Sequence, residues 1–120
     1  MASGQASHAE GGSLASAHGA HAEGLNTTAS GFESHAEGYL TEASEIASHA
    51  EGQGTIASST ASHAEGNATT ASGQSSHAEG YQTKAINFYS HAEGRNTIAS
   101  NQNSHAEGQG TTASGSSSHT

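Results

Sequence analysis

The chain contains no cysteine and no proline, and tryptophan, valine and aspartate are missing as well. Without cysteine there is no disulfide framework to staple a small fold. Without proline, the 16 glycines do not read as collagen or as a polyproline linker. Large apolar side chains are also scarce. Only 13 of the 120 residues are Leu, Ile, Met, Phe or Tyr, and the remainder of the 30% hydrophobic content is alanine. Burying side chains this small does not offset the ordering entropy of a self-sufficient globule, which excludes an ordinary monomeric core. No stretch approaches the ~20 apolar residues of a membrane-spanning helix, and no membrane contact is expected of this segment. Two basic residues stand against eleven glutamates, and the formal charge of −9 excludes nucleic acid as a partner. Ten histidines tie that balance to pH: protonating all of them moves −9 to +1 around their ordinary pKa of ~6.5.

What the chain does have is a repeat. The tetrapeptide His-Ala-Glu-Gly begins at His8, His21, His35, His49, His63, His77, His91 and His105, and a ninth copy starts at His119 and stops. Successive copies are 14 residues apart except the first pair, which are 13 apart. There Gly11-Gly12-Ser13 replaces the later Gly-x-x-Thr, as in Gly38-Tyr39-Leu40-Thr41, and a loss confined to one spot predicts a loop. The unit is Ser-His-Ala-Glu-Gly-x-x-Thr-x-Ala-Ser-Gly-x-x, cleanest in residues 62 to 75. Two short runs, each followed by a small residue and two variable positions, predict strand, turn, strand, turn. Glycine every half repeat prevents a helix from propagating. Two strands and two turns per 14 residues describe one coil of a flattened parallel β-solenoid, and eight or so coils at ~4.8 Å give a rod roughly 40 Å long.

Period-two alternation sorts the side chains. Ser62, Ala64 and Gly66 share one face, with His63 and Glu65 on the other; Thr69 and Ala71 oppose Thr70 and Ser72. Only the small set fits a narrow coil, so the predicted interior is Ala, Thr, Ser and Gly. The position between Thr and Ala varies freely (Leu14, Thr28, Glu42, Ile56, Thr70, Lys84, Ile98, Thr112), as a solvated face does. His and Glu never vary although they point outward, which implies that something packs against them.

These residues resemble the head repeat of trimeric autotransporter adhesins of the YadA type, in which a Ser-Val-Ala-Ile-Gly core precedes a Ser/Thr-x-Ala segment. The resemblance runs from Ala2 to His119. It implies a left-handed parallel β-roll, homotrimeric, with three chains meeting through the face that carries Val and Ile in that family. Carried over, that face is a ladder of His8, Glu10, His21, Glu23, His35, Glu37, His49, Glu51, His63, Glu65, His77, Glu79, His91, Glu93, His105 and Glu107. The resemblance further implies a cell-surface location and attachment to host or extracellular-matrix surfaces. The Ser-His-Ala-Glu-Gly variant also resembles repeats of phage tail fibres and prophage surface proteins, which makes a virion or tailocin fibre shaft the alternative. Stacked coils set Glu over Glu at ~4.8 Å, tolerable only with a donor or cation between them. The expected donor is a histidine of a neighbouring chain; such pairing holds the His pKa above and the Glu pKa below their ordinary values, whereas dominant desolvation at the axis lowers His and raises Glu.

Ser, His and Glu in every repeat do not make a catalytic triad, because adjacent Ser and His in a strand face opposite ways and no oxyanion site accompanies them. No catalytic residue and no cofactor are assigned. Imidazoles converging on a threefold axis would offer nitrogen ligands, so a His-rich metal-binding solenoid is a further alternative; pairing with Glu explains the same spacing, and no metal ligand is assigned. Calcium-binding β-roll motifs use Asp, which is absent. The regular Thr27, Thr41, Thr55, Thr69, Thr83, Thr97 and Thr111 share the interior face with Ala and are read as coil lining rather than an ice-binding array. The larger side chains fall at turns. Residues 81 to 95 form the most irregular unit and hold both cations, so Tyr81, Lys84, Phe88, Tyr89 and Arg95 are the candidate partner-binding residues. Both ends fall in mid-repeat, and residues 1 to 120 are expected to be a single β-roll domain cut from a longer chain.

Overall fold

A computed structural model describes all 120 residues, and they form strands and turns with no helix. Two long strands open the fold, β1 (His8–Ala15) and β2 (His21–Ala29). Each later coil then carries a longer and a shorter strand. The longer ones are β3 (His35–Tyr39), β5 (His49–Gln53), β7 (His63–Asn67), β9 (His77–Tyr81), β11 (His91–Arg95) and β13 (His105–Ala106). The shorter ones are β4 (Glu42–Ala43), β6 (Ile56–Ala57), β8 (Thr70–Ala71), β10 (Lys84–Ala85), β12 (Ile98–Ala99) and β14 (Thr112–Ala113). Odd-numbered strands from β3 onward pair in parallel with one another, as do the even-numbered ones, and β2 spans both series. Residues one repeat apart are direct neighbours: His49 beside His63, Ala50 beside Ala64, Glu51 beside Glu65. The result is the predicted parallel β-solenoid of about eight coils, with extents of 41 × 20 × 10 Å.

The coil interior is as thin as the sequence requires. Ala36, Ala43, Ala50, Ala57 and their equivalents are fully buried, and the largest side chains shut inside are threonines. Apolar burial this modest leaves cohesion to the backbone, which forms 83 main-chain hydrogen bonds, most of them joining one coil to the next. The serine before the repeated histidine closes its turn in every unit except the second, where Ala20 stands in its place. In Ser62 the Oγ hydroxyl donates to the Ser59 carbonyl at 2.7 Å and accepts from the Ser59 N–H at 3.2 Å, and Ser48 does the same with Glu45. The interior threonines differ. Thr69 Oγ1 donates to the Glu65 carbonyl, whereas the hydroxyls of Thr41, Thr55, Thr83 and Thr97 are buried without a partner.

The glycine after Glu has a steric reason. Gly66 has φ +107°, and a Cβ there would lie 2.2 Å from the Gly80 carbonyl oxygen of the next coil. The turns also place non-glycine residues in the left-handed region, among them Leu40, Ala47, Ala61, Ala68 and Tyr89 with φ between 55° and 58°. Each costs about 1–2 kcal/mol locally, a cost that the inter-coil ladder overrides. The one-residue loss in the first repeat lies at the turn, opposite Asn26 and Thr27. In these two coils β1 and β2 run through that point, and the pairing absorbs the loss as a shift between Gly12 and Leu14.

Two pairs of substitutions test this packing in thermal or denaturant unfolding. Ala57→Leu overfills the coil and is expected to cost about 1–3 kcal/mol or more, while Ile56→Thr, next to it on the outer face, stays within ~0.5 kcal/mol. Thr83→Val removes a buried hydroxyl that has no partner and is expected to gain about 1 kcal/mol, whereas Ser62→Ala forfeits its turn closure and costs about 1–2 kcal/mol. Equal tolerance at Ala57 and Ile56 would place the interior on the wrong face.

Candidate functional site

The parallel register turns the repeated His and Glu into two adjoining columns on the outer face of the longer strands. Imidazoles stack on imidazoles: from His21 to His119 the ring centroids of successive coils lie 4.6–4.8 Å apart and the ring planes within 18° of parallel. Beside them the glutamates stand in line along an open groove of about 1510 Å³, floored by the glycines that follow them. No hydrophobic side chain lines it.

Within a coil, each glutamate from Glu10 to Glu93 sets its Oε2 3.3–3.7 Å from the Nε2 of the histidine two residues before it. The other carboxylate oxygen often reaches the next coil. Glu51 Oε1 lies 4.0 Å from His63 Nε2, Glu65 Oε1 3.7 Å from His77 Nε2, and Glu93 Oε1 3.5 Å from His105 Nε2. One carboxylate thus sits between two stacked imidazoles. The partner expected from a neighbouring chain is present within the same chain, and all sixteen ladder residues lie on this one face. The contacts are close but poorly aligned. Only His8 with Glu10 and His21 with Glu23 form hydrogen bonds, and the Nε2 atoms of His35, His49, His63, His77, His91 and His105 are closed off from solvent without one.

In the single chain the charge states follow desolvation at the histidines and alternate at the glutamates. Burial, reinforced by repulsion from the stacked His49 and His21, lowers the pKa of His35. His63 and His91 are lowered for the same two reasons. The carboxylates alternate. Hydrogen bonding with Glu51 and Glu23 pushes Glu37 up to about 7, and bonding with Glu51 and Glu79 pushes Glu65 up to about 7. Their neighbours Glu23, Glu51 and Glu79 are lowered, chiefly by accepting those bonds. Stacked carboxylates at the inter-coil spacing thus shift one another in alternation along the column, an effect not foreseen from the sequence. The sole hint of it was the spacing of ~4.8 Å between identical residues.

The five candidate partner-binding residues divide between different parts of the coil. Tyr81 and Arg95 end β9 and β11 at one turn, with the guanidinium 5.9 Å from the ring centroid. Phe88 and Tyr89 occupy the other turn, ring centroids 6.4 Å apart, and both are more than half exposed. Lys84 lies on β10 between the two turns and borders a shallow depression with Gln82, Asn96 and Ile98. The structure thus assembles two small aromatic patches instead of one.

The alternating column has a measurable signature. Glu37 and Glu65 have folded-state pKa values raised from 4.5 to about 7, so their contribution is complete below the unfolded value and is lost as pH climbs to the folded one. His35, His63 and His91, lowered from 6.5, act in the opposite sense: stability is full above the unfolded value and falls as pH drops below it. Replacing Glu37 and Glu65 together by Gln mimics the protonated form. The double variant is expected to melt higher than the unsubstituted chain at pH 8 and to lose that advantage below pH ~5, in melts at fixed concentration without divalent ions. A variant less stable at pH 8 would contradict the raised carboxylates.

Comparison with known proteins supplies no relative for this arrangement: no family model matches the chain, and no curated protein matches it.

Proposed function

We propose that this chain is a non-enzymatic rod, the head segment of a homotrimeric surface adhesin whose coils wind left-handed, displayed outside the cell and attaching it to host or extracellular-matrix surfaces. One observation carries the reading. The His and Glu face is uniform along the whole rod, while the turns and the outer face of the shorter strands vary from coil to coil. A uniform longitudinal face suits lengthwise association of identical chains. Variable turns and strand ends suit recognition: Phe32, Ile46, Phe88 and Tyr89 are exposed at turns, Tyr39 and Tyr81 at the ends of β3 and β9, and Leu25 on β2. The thin interior supports the same conclusion, since a chain that buries only Ala, Ser, Thr and Gly gains burial by association. The polar character of the face, where the resembling adhesin repeats carry Val and Ile, favours one second reading: the same trimeric rod as a phage or tailocin tail-fibre shaft.

Sedimentation tests the assembly. The expected mass is three times the 11.8 kDa of the chain, with an unfolding midpoint that rises with protein concentration. A cooperatively folding single chain with a concentration-independent midpoint would overturn the trimer. Attachment is read separately, by binding of the rod to immobilised extracellular-matrix proteins. Replacing Tyr81, Phe88 and Tyr89 together by Ala is expected to abolish it with the trimer intact. Binding to bacterial envelopes in its place would identify the fibre shaft.

A further inference from the structure

We infer that the ladder binds divalent late transition-metal ions, each held by two imidazoles of consecutive coils and the carboxylate between them. The sites are built by one chain and do not depend on the trimer. His49, Glu51 and His63 represent the set. The Glu51 carboxylate faces both Nε2 atoms, at 3.6 and 4.0 Å, and the three ligand atoms lie within 4.8 Å of one another. Two ligands on one tetrahedral zinc ion stand ~3.4 Å apart, so the carboxylate is nearly in place. The remaining adjustment is a rotation of two parallel rings about their Cβ–Cγ bonds, which tilts their Nε2 lone pairs toward each other.

Three features point to an ion in addition to the clustering. The Nε2 atoms of His49, His63, His77, His91 and His105 are buried with no hydrogen-bond partner, and each has a carboxylate oxygen within 3.4–3.7 Å. A metal satisfies both groups at once, whereas a neutral imidazole leaves two acceptors facing or a misaligned donor. The ligand chemistry is selective: two imidazoles and one carboxylate suit Zn(II), Ni(II) or Cu(II) rather than calcium or magnesium. Finally, the glutamate column borders an open groove, which gives ions and coordinating water a way in. The ion also places positive charge between stacked glutamates in a chain of net charge −9.

The register sets the stoichiometry. The five triplets are His21–Glu23–His35, His49–Glu51–His63, His63–Glu65–His77, His91–Glu93–His105 and His105–Glu107–His119. Because His63 serves two of them and His105 serves another two, three ions fill the chain at once. The eight ladder histidines and His119, taken in pairs, set a ceiling of four.

Calorimetric titration of tag-free full chain with Zn(II) is expected to saturate at three ions per chain. Saturation above four, or no binding, would overturn the inference. Two variants with four substitutions each separate paired sites from single histidines. Replacing His21, His49, His77 and His105 by Gln leaves no triplet intact and is expected to abolish tight binding. Replacing His77, His91, His105 and His119 by Gln leaves the first two triplets and is expected to retain two ions. Equal binding by the two variants would refute shared sites. Should either variant fail to fold, Cu(II) bound to the unsubstituted chain still decides: electron paramagnetic resonance is expected to show coupling to two imidazole nitrogens, and coupling to one would refute the proposal.

Discussion

The inter-coil backbone ladder, with each residue bonded beside its own counterpart one repeat on, is the constraint from which the rest of this structure follows. Once the register is 14 residues, alanine stacks on alanine, histidine on histidine and glutamate on glutamate. The interior benefits at once, because a column of identical small side chains packs without voids. The exterior does not. Identical ionisable groups at this spacing repel unless neutralised, so the columns must find protons or cations. The lowered histidines and the alternately raised and lowered glutamates answer that demand within one chain.

A ladder-dominated fold also explains which residues are free to change. Position 56 of the outer face accepts Ile where position 70 has Thr and position 84 has Lys, because the main chain carries the pairing whatever the side chain is. The turns have similar licence. Ala47, Ala61 and Tyr89 take up the left-handed conformation that glycine would occupy more cheaply, since the coils on either side fix their backbone. A surface built this way can vary its turn residues for recognition while keeping its register, and the two aromatic patches of the irregular unit illustrate it.

Much of this architecture was legible in the sequence because one chain contains its own comparison set. Repetition separated Ala57, constant and fully buried, from Ile56, variable and exposed, and it gave the coil, its two turns and the rod length. The ladder residues were legible as a face. Their partners were not, because pairing depends on where a carboxylate turns once its neighbours are fixed at the inter-coil spacing. Glu51 illustrates the difficulty: it approaches His49 with one oxygen and His63 with the other, and the adjoining Glu65 and Glu37 lower its pKa as well. The left-handed turn residues were hidden for a related reason. Glycine marks such positions locally, and here long-range pairing imposes them on Leu40 and Ala68 without any local signal.

The polar face then determines what kind of association the rod sustains. Had the repeated outer pair been Val and Ile, the face would close against its neighbours by excluding water. With His and Glu, closure would require that charge be matched as well as surface buried, and histidine is the side chain whose ordinary titration falls in the range where cells and their surroundings differ in pH. Protons on the glutamates, the inferred ions and the proposed neighbouring chains would be three ways to neutralise the same column, and they would compete for the same atoms. Occupancy of the ladder by one of them alters the free energy available to the others. In the proposed trimer, proton and metal activity would then act on assembly through the column that the backbone register creates, with no separate regulatory element required.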